Sequence, residues 1–331
     1  MCYFHDKLCK IWFFPIQNRY LARAKNEKSM KPTLLILAAG MGSRYGGLKQ
    51  MDAFGPNGET IIDYSIYDAI QSGYGKVVFI IRDTFRENFM KYFTGRIGDR
   101  IELEFVNQDL HDLPADFSVP DGREKPWGTG HAVWVARNVV HEPFAVINAD
   151  DFYGRSAIKQ MGDFLMENVN DPGKYCTVSY YLKNTLSDHG TVNRGVCEVS
   201  TSGYLEAVTE RTKIKRMDDG KIYYDADGDS PGELVEDTLV SMNMWGFQSS
   251  YFDKVEPLLT KFLEEKIGVQ KSEFYIPEAI QQLMDNNDVT VRVLASKEHW
   301  FGVTYPDDKP FVQEQINKLI EQGIYPEKLW D

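Results

Sequence analysis

From Thr33 onward, apolar runs of strand length alternate with longer segments of helical period, and no other feature constrains the fold as tightly. Strand and helix in alternation build a largely parallel sheet whose two faces must both be covered by helices. Residues 34–37, 76–81, 101–106 and 144–148 are such runs. Between them Ile62, Ile66, Ala69 and Ile70 share one helical face, as do Ala132, Val135, Ala136 and Val139, so these positions predict core. In sheets of this kind ligands bind beyond the carboxyl ends of the strands, which is where a site is expected. The second half adds β-like segments at 175–181, 195–199, 204–209 and 239–247, then helical stretches at 251–265, 277–284 and 310–322. With no internal repeat, low-complexity tract or linker, residues 31–331 read as one α/β domain.

Composition narrows the function. The chain has 331 residues, 43% hydrophobic and 26% charged, the profile of an ordinary globular protein. Residues 1–30 carry +4, which leaves −16 on the remainder of a chain whose net charge is −12. That segment reads as an upstream extension outside the fold. So acidic a body offers no general positive field for nucleic acid, and any phosphate it binds needs locally placed cations. No apolar stretch reaches the roughly 18 residues that span a bilayer, so the expected partners exclude membrane and the expected location is cytoplasmic. Cys2, Cys9, Cys176 and Cys197 form no C-x-x-C pair and the six histidines no H-E-x-x-H, which argues against structural zinc.

The first run leads into LAAGMGSRYGGLKQ, residues 37–50. A strand ending in a glycine-rich turn exposes backbone N–H groups to phosphate oxygens. Gly40, Gly42 and Gly46 are spaced G-x-G-x-x-x-G, one residue too long for a dinucleotide turn. A P-loop fails because Leu48 separates Gly47 from Lys49 and Gln50 stands where a hydroxyl is needed. What remains is either a turn whose Arg44 and Lys49 neutralise a triphosphate while the glycines wrap it, or a solvated turn with incidental charges.

LAAGMGSRYGGLKQ resembles the L-A-[AG]-G-x-G-x-R-x(n)-K signature of the nucleotidyltransferase superfamily, in particular the sugar-1-phosphate nucleotidyltransferases. Trp127-Gly128-Thr129-Gly130-His131-Ala132 resembles that family's L-G-T-G-H-A, and residues 148–154, NADDFYG, resemble its G-D-N-x-F-Y-G. Three motifs in order are far more specific than one turn. The resemblance implies a Rossmann-like, three-layer α/β/α nucleotidyltransferase (GT-A-like) fold with a mixed, mostly parallel central sheet. It implies a nucleotide-binding half at about 31–155 and a sugar-binding and C-terminal half at about 156–331.

It also implies roles. Ala38, Ala39, Gly40 and Gly42 would lie along the nucleotide, with Arg44 and Lys49 on its phosphates. Gln108, Gly128 and Thr129 would meet the nucleotide, Gln108 and Gly128 at the pyrimidine edge. Residues 109–126 form a long connection, read as a flap or a tolerated surface loop. Asp150 would hold Mg²⁺ and act in catalysis, with Asp151 beside it; on its own Asp150 also reads as a cap for a helix starting near Ser156. The family's second metal aspartate lies in W-x-D-x-[GT], where this chain has Trp300-Phe301-Gly302, and Asp151, Asp307, Asp308 or water are left to compensate. For the acceptor, Gly195, Glu210, Arg211 and Asn243 match sugar-binding positions.

The expected activity is transfer of a nucleoside monophosphate from UTP or dTTP to a sugar 1-phosphate, releasing pyrophosphate. A non-sugar acceptor such as phosphocholine, a silent nucleotide-sugar sensor, and a glycosyltransferase using Asp225-Ala226-Asp227 are the alternatives. The C-terminal helix reads as a self-association element, making a homo-oligomer, or as a cover for the sheet.

Overall fold

The computed structural model describes residues 30–40, 52–187, 190–303 and 308–330. Arg44, Lys49, Gly42 and Asp307 lie outside these residues. Four parallel strands run through the first half: β1 (Thr33–Leu37), β2 (Lys76–Ile81), β3 (Glu102–Asn107) and β4 (Phe144–Asn148), in the spatial order β4-β1-β2-β3. Helices α1 (Ile61–Gln71), α2 (Arg86–Ile97) and α3 (Thr129–Trp134) lie between them in sequence. After β4 come a two-residue strand β5 (Asp151–Phe152) and α4 (Arg155–Glu167). The helix near Ser156 therefore exists, but Gly154 occupies its cap position with no side-chain cap, so Asp150 is not its cap.

The second half continues the same sheet. Strands β6 (Lys174–Tyr181), β7 (Val192–Val199), β8 (Leu205–Arg216), β9 (Ile222–Tyr224), β10 (Gly232–Leu234) and β11 (Leu239–Phe247) precede α5 (Tyr251–Lys266) and α6 (Ile276–Asp285). Strand β12 (Thr290–Ser296), strand β13 (Phe301–Gly302) and α7 (Lys309–Glu321) complete the described chain. The eleven-stranded sheet runs β10-β9-β8-β7-β11-β4-β1-β2-β3, with β6 on the other edge of β11 and β12 parallel to β6. Parallel pairing fills the first half, and everything joined to β11 is antiparallel to it.

Alternation along β1 explains the three layers. Leu34 and Ile36 enter one core with residues of α1, α2, α4 and α7, while Leu35 enters the other with residues of α3, α5 and α6. Both faces are dry, which is why the central strands read as unbroken apolar runs. Residues 290–296 are not expected as a strand from the pattern, and the helix at 155–167 is expected only as a segment starting near Ser156. The alternation of the strand is diluted by half-exposed polar positions such as Arg292.

The chain after α7 returns to α1. Tyr325 donates a 2.5 Å hydrogen bond to the buried Asp68 carboxylate, which also takes a 2.9 Å bond from Arg155, and Trp330 donates to Asp63 at 2.8 Å. Burial pushes the Asp68 carboxyl up to about 6 against these partners. The Tyr325 ring also meets Tyr64 edge-on at 4.9 Å and Phe152 of β5 at 6.1 Å. Tyr325→Phe keeps these ring contacts but leaves Asp68 one donor short, and is expected to cost about 1–3 kcal/mol in urea unfolding. Tyr325→Ala should cost more; equal midpoints for both variants and the parent would show that the tail is not anchored this way.

Candidate active site

The parallel strands end side by side, and backbone bonds tie their exits together. Ala38 N–H donates to Ile80 O at 2.8 Å, Gln108 N–H to Ile81 O at 2.8 Å, and Ala149 N–H to Leu37 O at 3.1 Å. Ala38 and Ala39, both buried, and the exposed Gly40 thus lie between the Gln108 exit and the Asp150 exit. This is the end of the sheet at which the strand pattern predicts a site.

Gln108 and Gly128 meet there: the Gln108 Nε2 donates to the Gly128 carbonyl at 3.1 Å. Gly128 has φ 100°, and a Cβ on it would lie 2.6 Å from the Phe274 carbonyl oxygen, so this turn demands glycine. Thr129 spends its hydroxyl on structure, accepting from the Ile276 N–H at 3.2 Å at the start of α6. Residues 109–126 are pinned down: Arg123, 5% exposed, stacks 3.4 Å over Trp127 and donates to the carbonyls of Val269 and Ser272. That connection is an anchored surface segment, not a flap.

At the other exit, Asp151 is buried and half-exposed Asp150 precedes it. The Oδ2 of Asp151 accepts from Asn148 Nδ2 at 2.8 Å and from the Tyr153 hydroxyl at 3.2 Å. Asn148 is itself oriented: its Oδ1 accepts from Asn243 Nδ2 at 2.8 Å, and Asn243 Oδ1 accepts from the Trp245 indole N–H at 3.1 Å. An indole N–H only donates, so each amide along this chain has one allowed orientation and Asp151 is left as the final acceptor. Asn243, φ 58°, thus supports the acid pair through Asn148.

Gly302 pairs antiparallel with Asp151, and a Cβ on residue 302 would lie 2.6 Å from Asp151 Oδ1. The Asp151 carboxylate therefore fills the space a side chain at 302 would need. Trp300 is next to it, its buried indole Nε1 without a hydrogen-bond partner among the described residues.

On the acceptor side Gly195 and Glu210 face each other across β7 and β8. Side chains alternate along a strand, so Arg211 leaves on the opposite face, where its guanidinium lies 4.8 Å over the Tyr224 ring. The cation that couples electrostatically to both Asp151 and Glu210 is Arg194, whose guanidinium lies 4.7 Å over Trp300 and bonds Thr185. Burial lowers the Arg194 pKa to about 10, so it stays charged at neutral pH. Arg194, Asn148, Tyr153 and His131 are assigned no role by the motif resemblance, although each lies within a quoted motif or next to one.

A family model described as Nucleotidyl transferase matches residues 33–309. The chain belongs to that family. It is accordingly a nucleotidyltransferase, working on a nucleoside triphosphate. Among curated proteins compared by sequence, none matches. Among solved structures, the inositol-1-phosphate CTP transferase from T. maritima is similar, with a TM-score of 0.59 and 15% identity over 88% of this chain and 97% of that one. UDP-glucose pyrophosphorylase complexed with UDP-glucose is similar too, with a TM-score of 0.55 and 16% identity over 87% and 99%. Both share the fold with this nucleotidyltransferase.

Burial first, then the charge of Asp150, pushes the Asp151 carboxyl up to about 7, opposed by the bonds from Asn148 and Tyr153 and by Arg194. A raised carboxyl pKa means the folded protein keeps a proton that the unfolded chain has already lost. Its contribution to stability is therefore lost as pH rises from the ordinary carboxylate range through about 7. Asp151→Asn keeps the shape without the charge and is expected to flatten that decline in metal-free urea unfolding. An unchanged slope would mean that Asp151 is ionised throughout.

Proposed function

We propose that this chain transfers the nucleoside monophosphate of an NTP, with UTP or dTTP favoured, to a sugar 1-phosphate, releasing pyrophosphate, with Mg²⁺ as cofactor. The observation that carries this reading is the order of groups along one end of the sheet. Gln108 with Gly128 comes first, then Ala38 to Gly40, then Asp150 with Asp151, and beyond β11 come Gly195, Arg194 and Glu210. From the β3 exit to the β4 exit is three inter-strand steps, about 14 Å at roughly 4.8 Å each, which suits a nucleotide lying across β1 with its base at Gln108. The acceptor phosphate would then approach from the β7–β8 side. Two proteins of the same fold, named for CTP with inositol 1-phosphate and for UDP-glucose, agree with a pyrimidine nucleotide and a phosphorylated ring acceptor.

The reaction is in-line attack by an acceptor phosphate oxygen on the α-phosphorus, with pyrophosphate leaving, and it needs no protein nucleophile. Two anions must be brought together, so the residues' work is charge neutralisation and positioning. Arg44 and Lys49 are assigned to the triphosphate from the resemblance alone. Arg194 offers a fixed, half-buried positive charge on the acceptor side, tied to Thr185 and held over Trp300. Glu210 pairs with Gly195 across β7 and β8, and its carboxylate can accept from sugar hydroxyls.

The acid pair fits Mg²⁺. This ion takes one or two carboxylates together with substrate phosphates, and no group of three or more metal-ligating side chains occurs among the described residues. Asp150 and Asp151 would hold it, Asp151 through Oδ1, the oxygen not engaged by Asn148 and Tyr153. Bound there, it would neutralise charge on the α-phosphate.

Pyrophosphate release should require Mg²⁺ and one pairing from a panel of UTP, dTTP, CTP, GTP and ATP with hexose, amino-sugar and N-acetyl-sugar 1-phosphates. Asp150→Asn and Lys49→Ala are each expected to lower turnover roughly 10²-fold or more, the cost of losing a preorganised charge. Silence across the panel with tight nucleotide-sugar binding would favour a sensor, and phosphocholine accepting better than any sugar phosphate would favour the other acceptor class. Gly302→Ala pushes on Asp151 and should abolish the rise in melting temperature that Mg²⁺ gives the parent protein; an undiminished rise would remove Asp151 from the metal site.

A further inference from the structure

His131 lies fully buried behind Gln108, in a motif whose glycines have a role but whose histidine has none so far. Its Nε2 is 2.7 Å from the Asp112 carbonyl oxygen. A carbonyl oxygen only accepts, so Nε2 carries the ring proton. Burial holds the ring neutral, lowering its pKa to about 4 against the opposing pull of the Asp112 contact. In a neutral imidazole with hydrogen on Nε2, Nδ1 is an acceptor.

That acceptor is 3.3 Å from Gln108 Nε2, and the Gly128 carbonyl oxygen, a second pure acceptor, is 3.1 Å from the same nitrogen. Both amide hydrogens of Gln108 are thereby committed. With the amide turned over, its oxygen would face two acceptors with no proton between them, so only one orientation is stable. The Oε1 atom is what Gln108 has left to offer a ligand. Asp112, which starts the relay, is itself fixed: Arg137 grips its carboxylate with two bonds of 2.7 and 3.1 Å and stacks 3.6 Å over Trp134. The long connection after Gln108 thus supplies the carbonyl that decides which way the Gln108 amide points.

We infer that His131 is a positioning residue for base selection: it holds Gln108 as an acceptor only, so the site takes a pyrimidine with an N3–H, uracil or thymine, over cytosine. Cytosine presents an acceptor at N3, and two acceptors meeting in a partly desolvated site repel. This rests on the proposed reading of Gln108 as a contact to the base. It accounts for a uracil-type preference by a proton relay that starts at a backbone carbonyl and needs no further side chain at the base.

Equilibrium titration of UTP and CTP onto the full chain tests it without requiring turnover, so failure to find an acceptor sugar would not obscure the result. The parent protein is expected to prefer UTP. In His131→Gln, whose amide N–H reaches for the Asp112 carbonyl while withdrawing the Nδ1 acceptor, and in His131→Phe, the UTP-to-CTP ratio should fall roughly tenfold. His131→Asn, which puts a carbonyl oxygen near the place of Nδ1, should retain most of the preference. A purely structural histidine would lower the melting temperature and weaken both nucleotides alike, leaving the ratio unchanged, and that result overturns the inference. So does a parent protein that binds CTP as well as UTP. If Gln108→Ala leaves the ratio intact, Gln108 does not read the base and the reading on which the inference rests falls with it.

Discussion

Strand β11 has to satisfy three neighbours at once, and the way it does so organises the molecule. Its first half pairs with β7 through Val240 and Ser241, its last three residues pair with β4, and β6 runs along the opposite edge beside both stretches. No straight strand can keep register with all of them, and the ladder to β6 shifts between Ser241 and Trp245. The irregularity sits at Asn243, φ 58°, a conformation asparagine tolerates far better than the β-branched residues that otherwise suit a buried strand. Because the backbone bulges there, the Asn243 amide can reach Asn148 at the end of β4 while accepting from Trp245. A single bulge therefore joins the parallel half of the sheet to the antiparallel half and fixes the orientation of the groups around Asp151.

The charges around that junction form a balanced set inside an acidic body. Asp151 is forced toward its protonated state by burial and by Asp150, while Arg194 is forced toward its neutral state by burial and held charged by Asp151 and Glu210. Each partner corrects the other's desolvation, the behaviour expected of groups kept ready for a charged ligand rather than for stability. A cation arriving at the acid pair would favour the ionised form of Asp151, and an anion arriving near Arg194 would favour the guanidinium. Two oppositely charged ligands would thus each be helped by a group whose environment penalises its charge in their absence.

Much of the fold could be read from the chain because the central strands are buried on both faces. Leu34 to Leu37, Val77 to Ile81 and Phe144 to Ile147 have no polar face to confuse the pattern. The peripheral elements were harder. Strand β12 alternates Val291 and Val293 with the half-exposed Arg292, and β9 and β10 are three residues each, too short for any period to register. Of the candidate site, glycines that the backbone demands were legible: Gly128 is constrained by a carbonyl 2.6 Å from where its Cβ would be, and such a constraint leaves a motif. Side chains that act by orienting other side chains were not, since Asn148, Tyr153 and His131 depend on partners from 5 to 95 residues away. Glu210 and Arg211, adjacent in sequence and read as a working pair, point to opposite faces of β8, and the cation that couples electrostatically to Glu210 is Arg194 of the neighbouring strand, which the register sets opposite Arg211.

The glycine at 302 looks in the sequence like a missing carboxylate, and the ribbon formed by β5 and β13 gives it another meaning. Antiparallel pairing sets residue 302 directly opposite Asp151, and the Phe152 and Phe301 rings stack at 4.4 Å to hold the two short strands in register. In that register the space beside the strands admits one side chain, and Asp151 fills it. Residues 151 and 302 are therefore not independent. A carboxylate on either strand excludes one on the other, and with Asp151 in place a larger residue at 302 would have to displace it from Asn148 and Tyr153 before contributing a charge of its own. Glycine at 302 is then the condition under which two consecutive aspartates can both stand at the end of β4.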